Sequence, residues 1–245
     1  MVNVNTVYRT VLYILNKEQR GYLTPAEFNK LANQVQLEIF EKYFDEMNMV
    51  LRMPVNNSEY ADREKNLDEK ISVFEKDGSC LSTTPPNYSF PVDLHRIGSI
   101  SYNGKSLERV SHSEYNLIQK SPFTKPTTSF PVYILKGTFD STIAPLAMDV
   151  YPTTINTNLP IHYIKKPSEP IWAYKKNAQG GFIYQEAASA TAVPATGSVQ
   201  FELHPTEQTN IILNILMYAG VIIRDPQIVQ NAAQMIAQDE AVEKS

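Results

Sequence analysis

The stretch Thr24-Pro25-Ala26-Glu27-Phe28-Asn29-Lys30-Leu31-Ala32-Asn33-Gln34 opens the most clearly patterned element of the sequence. Thr24 can cap the first backbone amides of a helix, Pro25 suits the first helical position, and Glu27 completes a capping box. The stretch therefore predicts a long amphipathic helix that continues to about Asn48. Apolar residues recur at helical spacing along it, at Phe28, Leu31, Val35, Ile39, Tyr43 and Met47.

Helical patterns also occupy both ends of the sequence. Residues 5–16 carry apolar side chains at helical spacing, and residues 205–222 repeat that pattern before a restart at Asp225-Pro226. A further stretch, residues 58–76, is dense in charges of both signs and has only a thin apolar seam. Because helices stand at both ends of the chain, we expect them to meet in one helical body.

The middle of the chain follows the pattern of strands and turns. Asn103-Gly104 is a strong signal for a tight β-hairpin, and frequent prolines favour edges and loops over a deep central sheet. The small, uncharged residues 187–197 lie between two predicted strands at 182–184 and 199–203. This arrangement predicts a long hairpin that protrudes from the lobe and could dock on a neighbour.

The predicted fold class is therefore α+β, with N- and C-terminal helices in one bundle and a β-rich insert lobe that carries a protruding hairpin. The predicted domains are a helical bundle of residues 1–77 and 204–238, a β-rich lobe of residues 78–203, and a flexible tail of residues 239–245.

Charge and cysteine content restrict the classes of function. The chain has 245 residues, a formal net charge of −4 and one cysteine, Cys80. Counterion release favours basic proteins on nucleic acids, so the charge argues against DNA or RNA as a tightly held ligand. A single cysteine is typical of a reduced intracellular protein. We expect no signal peptide and no membrane association, because no basic leader and no apolar run of ~20 residues is present.

Motifs for chemistry are missing from the sequence. The segment from Asn16 to Glu27 resembles a calcium-binding loop in spacing, but Arg20 stands where the metal needs an oxygen. No glycine-rich phosphate loop and no nucleophile elbow occurs. We therefore predict no catalytic residue, no cofactor, no metal site and no enzymatic activity. The four histidines are scattered without metal-ligand spacing, at His95, His112, His162 and His204.

Two rival functions remain at this point. Residues 163–176 interleave lysines with aromatics, which is typical of a surface that stacks single-stranded nucleic acid. The alternative explanation is a strand edge protected by lysines, with Trp172 packed on a neighbouring lobe or serving as an interface anchor. The residues of this patch are Lys165, Lys166, Trp172, Tyr174, Lys175 and Lys176.

An enzyme acting on a polysaccharide would instead need two carboxylates that face each other across a cleft. The acids available in the late β lobe before Glu186 are Asp140, Asp149 and Glu169, and nothing in the sequence pairs them.

If the chain assembles with neighbours, apolar side chains that lack a partner in the predicted fold are the candidates for the contacts. The predicted subunit or partner interface consists of Leu67, Ile71, Phe74, Trp172, Tyr174, Tyr184, Val193 and Phe201.

Several ordered motifs together resemble a known class. The capped helix at 24–34 is followed by Phe90-Pro91-Val92-Asp93-Leu94-His95-Arg96, by Tyr163-Ile164-Lys165-Lys166-Pro167, and by a helical close that begins at Glu202-Leu203-His204-Pro205. In this order the chain resembles virion structural proteins of tailed bacteriophages, in particular the head–tail connector or ring (adaptor) proteins of short-tailed and crAss-like phages.

The resemblance implies a helical bundle with a β insert, arranged as a homo-oligomeric ring, commonly a dodecamer, beneath the portal. Such a ring extends the DNA channel, contacts the portal protein and other tail or ring proteins, and lets DNA pass without specific binding. The implied location is the virion, assembled in the cytoplasm of the host bacterium. No catalytic residue carries over from the family, and each subunit would use a head-to-tail interface that closes by rotation.

Overall fold

The computed structural model describes residues 1–17, 22–52, 58–137, 146–190, 192–223 and 230–238. Three features named above lie wholly or partly outside these residues: the calcium-like loop, the restart at Asp225-Pro226 and the tail at 239–245. The chain divides into two compact units, which we call unit 1 (residues 1–73 and 167–245) and unit 2 (residues 74–166).

The elements follow one another in chain order. They are α1 (Val4–Lys17), α2 (Pro25–Arg52), α3 (Ser58–Ser72), β1 (Glu75–Thr84), β2 (Asn87–Ser89), β3 (Leu94–Tyr102), β4 (Lys105–Ser106), β5 (Glu108–Arg109), α4 (His112–Ile118), β6 (Val132–Gly137), β7 (Leu146–Tyr151), β8 (Leu159–Lys165), β9 (Tyr174–Lys176), β10 (Phe182–Tyr184), a 3-10 turn (Pro205–Glu207) and α5 (Gln208–Ile223). Residues 230–238 are also helical.

The long helix α2 begins with the predicted capping box. The backbone amide of Thr24 donates to Glu27 Oε2 at 2.9 Å, and the amide of Glu27 donates to Thr24 Oγ1 at 3.3 Å. These two bonds satisfy amides that a helix start leaves without partners, so the sequence fixes where α2 begins. The buried face of the helix is formed by Phe28, Ala32, Val35, Gln36, Ile39, Phe40, Tyr43 and Phe44.

The predicted helical bundle is wrong, because non-helical chain covers much of the buried faces of the N-terminal helices. Helix α5 does contact α1 and α2. Segment 167–203, however, packs on the same two helices: the amide of Trp172 donates to Asn29 Oδ1 at 2.8 Å, and Gln36 donates to the Ser168 carbonyl at 2.7 Å. Helical periodicity shows which face of a helix is buried, but it does not show what covers that face.

The predicted protruding hairpin is also wrong. Strand β10 pairs with β9 rather than with residues 199–203. Val199 instead bridges Ile171, and Phe201 bridges Val2 at the start of the chain. The intervening segment 187–197 turns back, so that Val193 bridges Tyr174. Segment 167–203 therefore belongs to unit 1, whereas the predicted β-rich lobe included it.

A tight turn at Gly197 makes this return possible, and it leads to a prediction. The φ of Gly197 is +83°, and a Cβ there would lie 2.7 Å from the carbonyl carbon of Ala187. Gly180 has a similar φ of +80°, but a Cβ there would meet nothing within 4 Å. We expect Gly197→Ala to lower the free energy of unfolding by roughly 2–4 kcal/mol, because overlap adds to strain, and Gly180→Ala by about 1 kcal/mol. Urea denaturation of the two variants measures the difference, and equal losses would contradict the explanation.

Unit 2 is built on an eight-stranded mixed sheet in the order β4-β3-β8-β1-β2-β7-β6-β5. The long strand β1 pairs with β8 through residues 75–80 and with β2 through residues 81–84. The predicted hairpin at Asn103-Gly104 is confirmed, since both residues have positive φ and join β3 to β4. This large sheet, rather than a helix bundle, is the main feature of the fold.

The two edge strands of this sheet are joined by one residue, Leu107. Strand β4 precedes it and pairs with β3, while β5 follows it and pairs in parallel with β6. The amide of Leu107 donates to the Ile100 carbonyl at 2.9 Å, and that of Glu108 to the Pro131 carbonyl at 3.2 Å. A single segment thus contacts both ends of the strand order, which makes the sheet nearly closed and barrel-like. The enclosed core includes Cys80, Tyr88, Phe90, Ile100, Leu107, Met148, Val150, Leu159, Ile161 and Tyr163.

Candidate interaction surfaces

An open groove in unit 1 is the first candidate surface. It has a volume of about 540 Å³ and is formed by α1, by Tyr22 in the segment that leads into α2, and by the region of β9 and β10. Most of its lining is aromatic or aliphatic, and one lining residue carries a charge. The lining residues, which we call the aromatic groove, are Tyr8, Arg9, Leu12, Tyr22, Trp172, Phe182, Ile183 and Tyr184.

The floor of the aromatic groove is held in place by buried contacts. The ring centroids of Tyr8 and Trp172 are 4.3 Å apart, and only 4% of Trp172 is exposed. Trp172 Nε1 donates to Asn5 Oδ1 at 3.1 Å, and the Tyr8 hydroxyl donates to the Leu23 carbonyl at 3.3 Å. Burial raises the pKa of the Tyr8 hydroxyl. The floor is therefore a fixed, uncharged aromatic surface at neutral pH.

The walls of the groove combine further aromatic contacts with exposed rim residues. The Trp172 ring stacks on Tyr174 at 6.0 Å, and Tyr174 meets Phe182 edge-on at 4.8 Å. At the rim, Tyr22 is 55% exposed and Ile183 is 49% exposed. Such a surface suits an apolar or aromatic group from a partner, since those groups gain most from leaving water.

A loop in unit 2 is the second candidate surface. Residues 119–131 follow α4 and lead into β6. Within this loop Phe123 is 98% exposed and Phe130 is 79% exposed, and Leu117 at the end of α4 is 64% exposed. We call residues 119–131 the aromatic loop. Exposed apolar side chains of this size make the aromatic loop a candidate for contact with a partner.

Hydrogen bonds hold the aromatic loop in a defined shape. The hydroxyl of Thr124 donates to the Ile118 carbonyl at 2.8 Å, and the amide of Phe123 donates to Ser121 Oγ at 3.3 Å. A second turn is closed where the amide of Phe130 donates to the Thr127 carbonyl at 3.0 Å. The two rings are therefore presented by turns rather than by an unstructured chain.

Lysines surround the aromatic loop. Lys120 and Lys125 lie within it and are exposed, and Nζ of Lys105 on β4 lies 6.0 Å from the centroid of the Phe130 ring. Residues 119–131 include no Asp or Glu. The loop consequently offers a partner both apolar area and positive charge.

Two buried carboxylates among the described residues form structural ion pairs. In unit 2 the Asp149 side chain, which is 3% exposed, pairs through Oδ2 with Lys136 Nζ. Its Oδ1 atom is buried and has no hydrogen-bond partner among the described residues. In unit 1 Glu207 Oε1 lies 2.7 Å from Lys70 Nζ. A third buried acid, Glu202, accepts hydrogen bonds from the amide and the hydroxyl of Ser168.

The remaining ionisable groups give no metal site within the part of the chain that the structure describes. His162 Nδ1 lies 2.8 Å from Asp77 Oδ1 on the surface of unit 2, and this hydrogen bond raises the pKa of His162. The Nε2 atom of His162 is 3.9 Å from a Glu75 oxygen. The His162 side chain is exposed, and its hydrogen bond to Asp77 links β8 to β1, where the two residues lie opposite each other.

Cys80 lies in the core of unit 2, and this placement yields a prediction. The residue is 0% exposed, and burial raises the pKa of its thiol to about 12. Because the thiolate is the reacting species, we expect a thiol-specific reagent at pH 8 to label the native protein at least roughly a thousandfold more slowly than the unfolded protein. Labelling in buffer and in denaturing urea checks this, and rapid labelling in buffer would place Cys80 outside the core.

The predicted interface residues have different environments. Leu67 and Ile71 in α3, Phe74 at the start of unit 2, and Phe201 are all buried within the chain. Val193 is 52% exposed. The structure brings three of the predicted residues together in one aromatic cluster: Trp172, Tyr174 and Tyr184.

The residues of each rival site are divided between the two units. Lys165 and Lys166 lie in unit 2, whereas Lys175 and Lys176 lie in unit 1 with Trp172, so the sequence patch is not one surface within either unit. Asp140 lies outside the described residues. The other two acids of the proposed carboxylate pair also fall in different units, Asp149 in unit 2 and Glu169 in unit 1.

Sequence reasoning missed most of the exposed surface. Tyr8, Arg9 and Tyr22 come from the N-terminal helical region, more than 140 residues before the strands that complete the groove. Phe123 and Phe130 stand among prolines in a lysine-bearing loop. That composition is a signal for an exposed turn, but it does not reveal how far the rings extend into water.

Among the described residues no helix has both the length and the apolar character needed to cross a lipid bilayer.

Comparison with known proteins identifies no relative of the chain. No protein-family model matches the chain, and no curated protein matches it at a significant level.

Proposed function

We propose that this chain is a non-enzymatic structural protein of a tailed-bacteriophage virion, which forms a ring at the portal or head–tail junction. The ring would extend the DNA channel and dock tail components. The phage assignment rests on the ordered sequence motifs described above, from the capped helix at 24–34 to the close at 202–205.

One observation carries the assembly part of the proposal: each compact unit displays its own ordered aromatic surface. Unit 1 has the aromatic groove, and unit 2 has the aromatic loop. A twofold dimer uses one patch twice, whereas a ring needs two different patches that meet head to tail. Two chemically distinct surfaces on separate units supply what such an interface requires.

The environment of the acids supports a role without chemistry. Asp149 and Glu207 are buried acids that are neutralised by Lys136 and Lys70. Acid–base catalysis by paired carboxylates needs two such groups at a shared cleft. These two acids lie in different units, where each stabilises packing.

Electron microscopy of the chain produced together with the portal protein of its phage tests the proposal. We expect rings with density for this chain at the end of the portal channel. If the portal is a dodecamer, we expect the ring to be a dodecamer as well. A matched preparation without portal separates self-assembly from portal-dependent assembly. A chain that stays monomeric and unattached in both preparations would refute the proposed function.

A second candidate is binding of single-stranded nucleic acid, which the groove favours in one respect. Arg9 lines it, and Lys175 lies opposite the groove residue Ile183 in the β9–β10 pair. Aromatic side chains with nearby cations can stack bases and contact phosphates. Fluorescence anisotropy with labelled oligonucleotides decides the matter: tight binding with a steep salt dependence favours this candidate, and weak binding that does not depend on Arg9 favours the ring subunit.

A further inference from the structure

The charges of the chain are divided unequally between the two units. Unit 2 contains nine Lys and Arg against seven Asp and Glu, a net charge of +2. Unit 1 contains 13 Lys and Arg against 19 Asp and Glu, a net charge of −6. The overall charge of −4 therefore hides a basic unit and an acidic unit within every copy.

We propose that the aromatic loop of unit 2 docks on unit 1 of a second copy of this chain, with Phe123 and Phe130 as its apolar anchors. The inference rests on the proposed ring assembly and names the contact that would join neighbouring subunits.

The two rings are not buried by the unit that carries them. Phe123 is 98% exposed and Phe130 is 79% exposed. Both rings are therefore available as anchors for a contact outside unit 2. Buried aromatic anchors near the centre of an interface commonly dominate its affinity, and truncating one weakens binding by tenfold or more. The turns at Ser121 and Thr127 already fix the loop, so docking orders little additional chain.

Charge complementarity selects the second copy as the partner. The loop presents Lys120 and Lys125, Lys105 of β4 lies beside Phe130, and no acid lies within residues 119–131. These cations meet an attractive potential on a unit with a charge of −6 and a repulsive one on a unit with a charge of +2. Every copy carries both members of this pair, so the contact repeats from one subunit to the next.

Photo-crosslinking from the loop tests the inference. Phe123 is replaced by p-benzoylphenylalanine, and isotopically light and heavy chains are mixed so that mass spectrometry distinguishes crosslinks between copies. The probe is used in the portal co-assembly and in the purified chain at its highest soluble concentration. We expect adducts between copies that map to residues 1–73 or 167–245. Adducts confined to residues 74–166 of the other copy, or to a different protein, would overturn the inference.

The outcomes separate the two levels of the proposal. If a ring forms but its crosslinks do not map to unit 1, the docking inference is refuted and the proposed function is not. If no ring forms, the proposed function fails, and the purified chain alone decides the docking inference. In that case a lack of adducts between copies overturns it.

Exposed substitutions provide an independent test with matched controls. We expect Phe123→Ala combined with Phe130→Ala to weaken self-association at least about tenfold. Val92→Ala removes another apolar side chain of unit 2, 78% exposed, and should leave self-association unchanged. Lys120→Glu with Lys125→Glu should slow association, whereas Lys120→Arg with Lys125→Arg should not. Equal effects of the loop variants and their controls in analytical ultracentrifugation would overturn the inference.

Discussion

Replacing Trp172 by alanine is expected to lower the free energy of unfolding of unit 1 by about 3–5 kcal/mol. The side chain is 4% exposed and its ring lies against those of Tyr8, Tyr174 and Tyr184. Its removal leaves a cavity under the aromatic groove and takes away the hydrogen bond to Asn5. The loss is large because one side chain joins α1 to the β9–β10 region.

Urea denaturation followed by far-ultraviolet circular dichroism measures this loss, since the chain has a single tryptophan and the variant has none. Trp172→Phe is the matched control: it keeps an aromatic ring but loses the bond from Nε1, and we expect it to cost about 1 kcal/mol. If Trp172→Ala were no more destabilising than Trp172→Phe, Trp172 would not be the centre of this cluster.

The second large effect is expected at the ion pair of unit 2. Lys136→Met removes the cation beside Asp149, whose side chain is 3% exposed and already has one unpaired oxygen. A buried carboxylate then has neither a charge partner nor water. We expect a loss of about 2–3 kcal/mol, less than for a fully buried pair because the Lys136 side chain is 43% exposed.

A double-mutant cycle checks the cause. Asp149→Asn in the Lys136→Met background removes the unpaired charge, so it should restore most of the lost stability, although the same change alone is expected to destabilise. Denaturation monitored by Cys80 labelling follows unit 2 directly, because Cys80 lies in that core. Additive losses in the double variant would show that the two residues do not interact.

Local chemistry explains which parts of the fold could be predicted. Thr24 and Glu27 sit three residues apart and cap α2 by themselves, and Asn103-Gly104 needs only its own backbone freedom to turn. The partners of long helical faces are different, because they are set by contacts between distant segments. Gln36 meets Ser168 across 132 residues, and nothing near either residue indicates the pairing.

In the candidate surfaces, too, contacts between residues close in sequence differ from contacts between distant segments. Trp172, Tyr174 and Tyr184 lie close in sequence, and the Trp172 ring contacts both tyrosine rings. Tyr8 completes the groove from 164 residues earlier than Trp172, so it could not be added from spacing. The exposure of Phe123 also escaped prediction, because an apolar residue is expected inside unless the surrounding structure shows otherwise.

The closure of the sheet at Leu107 has a consequence for how copies recognise one another. Residues 105–109 form both borders of the strand order, but β4 pairs only with Ser101 and Tyr102 of β3, and β5 pairs only with Val132 and Tyr133 of β6. A foreign strand added at either border would therefore meet the same short segment. Displacement of these five residues would change both borders at once.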